Sequence, residues 1–355
     1  MTPEIAIILA QDGVTTGAVY VLLALGIVLV FLVTRVIFVP FGDVVGYSAL
    51  SLASLQLGKL PGTVWLVATL AVIATLMESV ALISRGEIRR LPQALLFFAV
   101  LPLATIVPVL LLAGQQLPGW LELLLTIAVI LPISPLLYRI AFQPLAGASV
   151  LILLMVAVAL HYAMSGLALL YFGPEGFRTK SMTNAFFDVG PLSLSGQTLL
   201  IVGASIVFSF LLFLFFERTL TGKALRATSV NRVGARLMGI RPESTGAIAF
   251  LLASVLASIS GILIGPVTTF YYDSGFLIGL KAFVGAIIGG LISYPLAAAG
   301  AIFVGLLEAY SAFWSSTMKE VIVFGALVPI LIWRSLVTGG EADEDIEEDE
   351  REGAA

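Results

Sequence analysis

Apolar residues arrive in runs of about 17–25, the length an α-helix needs to cross a hydrocarbon core at ~1.5 Å per residue. They lie at about 5–34, 44–58, 62–84, 94–114, 120–138, 149–172, 197–216, 247–270, 276–292, 296–316 and 319–336. Only 11% of the residues are charged and the mean hydropathy is +1.09. Soluble chains carry roughly 25% charged residues, so a soluble globule is excluded. A barrel would show alternating strands of ~10 residues, and none appears. The expected fold is an all-α polytopic membrane protein with about 10–11 transmembrane helices.

Cysteine is absent, which removes disulfides, thiolate nucleophiles and Cys-based metal sites. The single histidine, His161, sits inside an apolar run and reads as a packed or pore-facing polar residue; no second histidine exists to share a metal. The formal charge of −4 hides an asymmetry. Residues 339–355 hold nine acids and Arg351, which leaves the rest of the chain at +4. Such a like-charge block buries no apolar surface and is expected to be a disordered, cytoplasmic, solvated tail. The start, "MTPEIAIILAQDG", lacks a basic region and a small-residue cleavage site, so no removable signal peptide is expected.

Residues 218–241, "RTLTGKALRATSVNRVGARLMGIR", contain six of the eighteen Lys and Arg residues and no acid. Cytoplasmic loops are enriched in Lys and Arg. This loop, 217–246, therefore fixes the cytoplasmic side, with Arg85, Arg89, Arg90, Arg139 and Arg334 in agreement. Counting outward puts 173–196 and the N-terminus outside and the C-terminus inside. Two runs are weaker spans: 44–58 is short, and 276–292 carries Lys281 with Gly285, Gly289 and Gly290. A half-helix or re-entrant piece is tolerated where protein shields it.

Within the basic loop, Ser229 or Asn231 is placed to cap a short helix. Val230, Val233, Gly234 and Leu237 recur at i, i+3, i+4, i+7 and give one apolar or small face, while Arg232 and Arg236 lie on another. Gly239 supplies a left-handed cap and Pro242 stops continuation. Lipid headgroups alone explain the charge; a docking element for a cytoplasmic partner also explains the capped helix. "TGKA" at 221–224 fails as a phosphate-binding loop, because Glu217 stands where the pattern needs glycine and Ala224 where it needs Ser or Thr.

At this point the chain resembles the permease subunits of branched-chain amino-acid ABC importers. The resemblance rests on "GVTTGAVYVLLALGIVLVF" (13–31), "AFQPLAGAS" (141–149), the basic loop, and "GFLIGLKAFVGAIIGGLISYPLAAAGAIFVGLLEA" (275–309). It implies a permease domain over 1–338 in a bacterial inner membrane, and a transport subunit rather than an enzyme. The implied partners are a second homologous permease, two ATP-binding subunits that carry ATP and Mg, a periplasmic substrate-binding protein and the lipid bilayer. No cofactor, metal or nucleic acid is implied for the chain itself. Carried over by position, Gly222, Arg226, Ala227, Ala235 and Gly239 match the loop pattern and Lys281 and Glu308 its C-terminal part; with Lys223, Arg232 and Arg236, the loop residues are expected to form the ATPase-coupling loop.

Two departures stand out. The family typically reads Asn-Phe-Ala-His-Gly where this chain reads "FVPFG" at 38–42, so Phe38, Pro40, Phe41, Gly42 and Asp43 form an altered turn, a candidate for the substrate pathway. Residues 80–120 have no recognised counterpart and read as one extra helical hairpin, kinked and peripheral through Pro92, Pro102 and Pro108. Charges within spans cost several kcal/mol unless paired or watered. Lys281 and Glu308 are expected to pair structurally or line a pathway, and Glu78 to snorkel or to meet Arg85. The competing classes are an ion- or proton-coupled secondary transporter, disfavoured by the absence of a visible internal repeat, and a membrane scaffold without transport.

Overall fold

A computed structural model describes residues 2–183, 185–189 and 192–332; Arg334 and the acidic run 339–355 lie outside the described residues. Eight helices are long and apolar enough to cross a membrane: α1 (Pro3–Thr34), α3 (Thr63–Ser84), α4 (Ile88–Leu112), α5 (Gly119–Leu145), α6 (Val150–Phe172), α7 (Gly196–Arg218), α10 (Pro242–Ile264) and α12 (Tyr294–Trp314). The short helices are α2 (Phe41–Gln56), α8 (Leu220–Val230), α9 (Arg232–Leu237), α11 (Ser274–Ile288) and α13 (Lys319–Gly325). A hairpin of β1 (Phe186–Val189) and β2 (Leu192–Ser195) precedes α7. These eight, with the two shorter helices at the runs read as weaker spans, carry ten of the eleven apolar runs. The runs at 44–58 and 276–292 form helices of 16 and 15 residues, shielded within the bundle.

Glycine sets how closely these helices approach. On α1, Gly13 and Gly17 form a small-xxx-small pair against α12: a Cβ at Gly17 would lie 2.9 Å from the Ile302 Cα, and one at Gly305 would lie 2.4 Å from the Gly13 carbonyl oxygen. Short α2 and short α11 cross at Gly42 and Gly275, where a Cβ on Gly42 would sit 2.2 Å from the Gly275 carbonyl oxygen. α1 with α2 and α10 with α11 are built alike, each a long helix, a non-helical stretch and a short buried helix. This likeness of build has no visible counterpart in the residue order.

The two ends of the bundle differ. One carries α8 and α9 with Arg35, which shares a cleft with Arg226 and Ser229. The other carries the β-hairpin and the 265–273 stretch, whose Phe270 pairs with Phe177 of the segment that follows α6. Gln56 accepts from the Lys180 N–H at this same end. Residues 80–120 supply one peripheral helix, α4, rather than a separate hairpin; α4 pairs with its neighbours α3 and α5. Both α4 and α5 contain a five-residue π-turn, at Leu96–Val100 and Tyr138–Phe142. Each is followed within two residues by a proline, Pro102 or Pro144, which has no N–H to continue the α-ladder.

Candidate functional site

The basic loop is built from two capped helices. Gly222 N–H donates to Thr219 Oγ1 at 2.9 Å to start α8, and Gly234 N–H donates to Asn231 Oδ1 at 2.8 Å to start α9. Asn231 is extended, so Val230 ends α8 and does not belong to the helix of Val233 and Leu237. Of the two caps that the sequence offers, Asn231 is the one used, and the apolar spacing that includes Val230 runs across a break. Gly239 is left-handed at φ 82°, and the Ile240 N–H reaches the Ala235 carbonyl at 3.0 Å, closing α9 as its position implies. Pro242 opens α10.

The chain turns at extended Thr219, and Gly222 lets α8 pack closely on the end of α7, where a Cβ would lie 2.2 Å from the Phe215 carbonyl oxygen. Leu225, Thr228 and Ala235 are buried against the bundle. Lys223, Arg226, Ala227 and Arg236 are exposed. Arg226 meets Glu217 at 2.8 Å and Arg236 meets Glu243 at 3.5 Å, exposed pairs of little worth to stability. More informative are the apolar side chains: Leu220, Val230, Val233, Leu237 and Met238 are 71–87% exposed. The apolar face of α9 points away from its own protein.

Inside the bundle the arrangement is reversed. Lys281 on α11 sits 2.5 Å from Glu308 on α12 and 3.0 Å from Glu320 on α13, and Tyr20 on α1 donates to Glu308 at 2.6 Å. The pairing expected of Lys281 and Glu308 is therefore present, within a network joining four helices. Glu78 does not meet Arg85; it accepts from Arg139 Nε at 2.6 Å. Arg139 projects from the π-turn of α5 toward α3, whereas Arg85 lies beyond the end of α3.

Sequence reasoning missed one pair. His161 Nδ1 lies 2.8 Å from Asp43 Oδ2, both buried, and the imidazole stacks on Phe276 at 4.2 Å between centroids. His161 is midway along α6, Asp43 is in the first turn of α2, and Phe276 is near the start of α11. A lone acid and a lone imidazole in apolar runs were the available signal. The altered turn lies beside them. Phe38 packs on Phe250 at 4.8 Å, Phe41 fills the notch at Gly26, and both rings are buried. With Gly42, Phe276 and Gly279 they border a cavity of about 30 Å³, room for water and none for an amino acid. Pro40 precedes α2.

Fold and site together define a multi-pass α-helical membrane permease, with charges paired inside and an unpartnered apolar face on a basic loop. Residues 9–331 match the family described as "Branched-chain amino acid transport system / permease component", and the chain belongs to this ABC-type permease family of the bacterial inner membrane. It is similar to the high-affinity branched-chain amino acid transport system permease protein BraD of Pseudomonas aeruginosa, 29% identical over 55% of this chain and 66% of that protein. It is also similar to LivH of Salmonella typhimurium, 28% identical over 55% and 65%. A probable LivH permease of Methanocaldococcus jannaschii is 29% identical over 34% and 39%. The matches span just under two thirds of the first two relatives' lengths.

Proposed function

We propose that this chain is the membrane-spanning subunit of an ATP-driven importer that moves branched-chain amino acids, or a related small organic solute, into the cytoplasm. The observation that carries the reading is the exposed apolar face of α9 on the most basic loop. Contiguous exposed apolar side chains mark an interaction surface, and family membership supports an ATPase as the partner. In this reading the chain hydrolyses nothing. Two ATP-binding subunits hold ATP and Mg, a second homologous permease completes the membrane part, and a periplasmic binding protein delivers the solute. The N-terminus lies outside and the C-terminus inside. Closure of the ATPase pair moves α9, and Gly222, Lys223, Arg226, Ala227, Arg232, Ala235, Arg236 and Gly239 shape and orient the loop that transmits this motion. The bundle then rocks around the α2–α11 crossing, where the turn at Phe38–Asp43 borders the pathway.

One observation favours a second reading. Two discontinuous helix pairs flanking a buried Asp43–His161 pair are also parts of ion- or proton-coupled carriers. Proteoliposomes holding the four-component assembly separate the two. Labelled valine uptake should require ATP on the loop side together with the binding protein, and should survive a protonophore. Uptake driven by an imposed proton or sodium gradient without ATP would transfer the chain to the carrier class. A thermal-shift screen of the binding protein against aliphatic, aromatic and amide solutes identifies the cargo.

A further inference from the structure

An apolar groove of about 390 Å³ opens on the side of the bundle between the two π-turns. Phe97, Leu101 and Thr105 of α4 form one wall, and Pro135, Ala247 and Leu251 face them from α5 and α10. At the basic end the groove meets Tyr138. The same Tyr138 lines a second cavity of about 290 Å³, which is more polar than the groove and bordered by Gly147, Arg232, Val233, Arg236 and Glu243. Both volumes fall near or within the ~300–1,000 Å³ of ligand pockets.

Charge in the polar cavity is unbalanced. Glu243 touches Arg236 at 3.5 Å, while Arg232 has no acidic partner among the described residues. An apolar channel in the membrane face that leads to an uncommitted guanidinium has one matching chemistry: an acyl chain joined to an anionic headgroup. We infer that this composite site holds one anionic phospholipid, with an acyl chain along the groove, its glycerol backbone beside Tyr138 and its phosphate at Arg232 and Arg236. Basic pockets between transmembrane helices on the cytoplasmic side bind such headgroups. The lipid bridges the peripheral helix α4 to α9, so membrane composition bears on the position of the loop. This site does not depend on the transport reading, because it is built by residues of this chain alone.

Native mass spectrometry tests the site on the full chain, released by mild detergent from vesicles of phosphatidylcholine with a minor fraction of phosphatidylglycerol. The wild type should retain one phosphatidylglycerol in preference to phosphatidylcholine. Arg232→Gln/Arg236→Gln should reduce that adduct about tenfold, and Arg232→Lys/Arg236→Lys should keep most of it. Ala247→Trp, which fills the groove, should reduce retention of either lipid. Arg241→Gln, an exposed charge outside the cavity, should change nothing. Monodisperse elution confirms that each variant is folded. An adduct that persists in both the double-Gln and the Ala247→Trp variants overturns the site. So does equal loss in Arg241→Gln, or displacement of the lipid by inorganic phosphate alone.

Discussion

The interior of the bundle and the basic loop treat polarity in opposite ways. Within the bundle, Lys281, Glu308, Glu320, Asp43 and His161 are polar groups among apolar helices, and each has a partner within hydrogen-bonding distance. On the loop, Leu220, Val230, Val233, Leu237 and Met238 are apolar groups among charges, and each stands more than two-thirds exposed. An unpaired charge in the membrane costs several kcal/mol, so the interior has to be complete within one chain. Exposed apolar area in water costs ~25 cal/mol per Å², spread over several side chains, so the loop tolerates an uncovered apolar face. The bundle pairs these charges within one chain; the loop leaves an apolar face uncovered.

The sharpest way to break the bundle's side of that comparison is to remove its cation. Lys281→Met leaves Glu308 and Glu320 facing each other, with Lys319 the nearest positive charge at 4.0 Å from Glu308. Removing one partner of a buried pair costs roughly 3–5 kcal/mol. Thermal unfolding in detergent should show that loss, with little folded protein recovered. Adding Glu308→Leu restores neutrality, because Glu320 and Lys319 then balance, and should recover a good part of it. If the double variant is no better than the single one, the network is not held by charge pairing.

A smaller loss is expected at the other buried pair. His161→Leu strips Asp43 of its donor and should destabilise the protein by roughly 1–3 kcal/mol. Asp43→Asn keeps a hydrogen bond to the imidazole and should be nearly neutral to stability. Equal melting losses in the two variants would mean that an amide does not replace the carboxylate, so that the pair is held by the charge on Asp43 rather than by a hydrogen bond alone.

Glycine substitutions probe the same contrast through space alone. Gly42→Ala drives a Cβ into the Gly275 carbonyl at the α2–α11 crossing and should cost roughly 1–3 kcal/mol. Gly203→Ala on α7 meets nothing within 4 Å and should leave the melting temperature unchanged or slightly raised. Comparable losses at both positions would remove the special status of the crossing.

These contacts mark where a single sequence is readable. Apolar run length gave the membrane class, and Asn231, Gly239 and Pro242 gave the loop's caps, because both signals are local. Lys281 and Glu308 were legible as two opposite charges in adjacent apolar runs. The shortness of α2 and α11 was legible in part, from the short run at 44–58 and from Lys281 with its glycines at 276–292; the Gly42–Gly275 crossing that packs them together was not, because it joins residues far apart in the chain. Asp43 and His161 lie 118 positions apart, and nothing local joins them. Glu78 is expected from the sequence to snorkel or to meet its chain neighbour Arg85, whereas the π-turn of α5 turns Arg139 toward it. The break at Asn231 escaped spacing because Val230, Val233 and Leu237 keep helical periodicity across an extended residue.

The smallest effect on the fold is expected on the loop, and there it carries the most functional information. Leu237→Asp changes a side chain that is 82% exposed, so the isolated chain should melt within about 0.5 kcal/mol of the wild type. If α9 is covered by an ATPase subunit, the same change places a carboxylate in an apolar contact. Co-purification with that subunit should then fall, and ATP-driven uptake with it. Arg226→Glu is a useful second probe, since it sets a like charge beside Glu217 on the same surface without touching α9; it should weaken coupling less than Leu237→Asp does. A Leu237→Asp protein that binds its ATPase and transports like wild type would show that the apolar face of α9 meets lipid or water. The contrast between charges paired within the bundle and an apolar face left uncovered on the loop would then fail at its functional end.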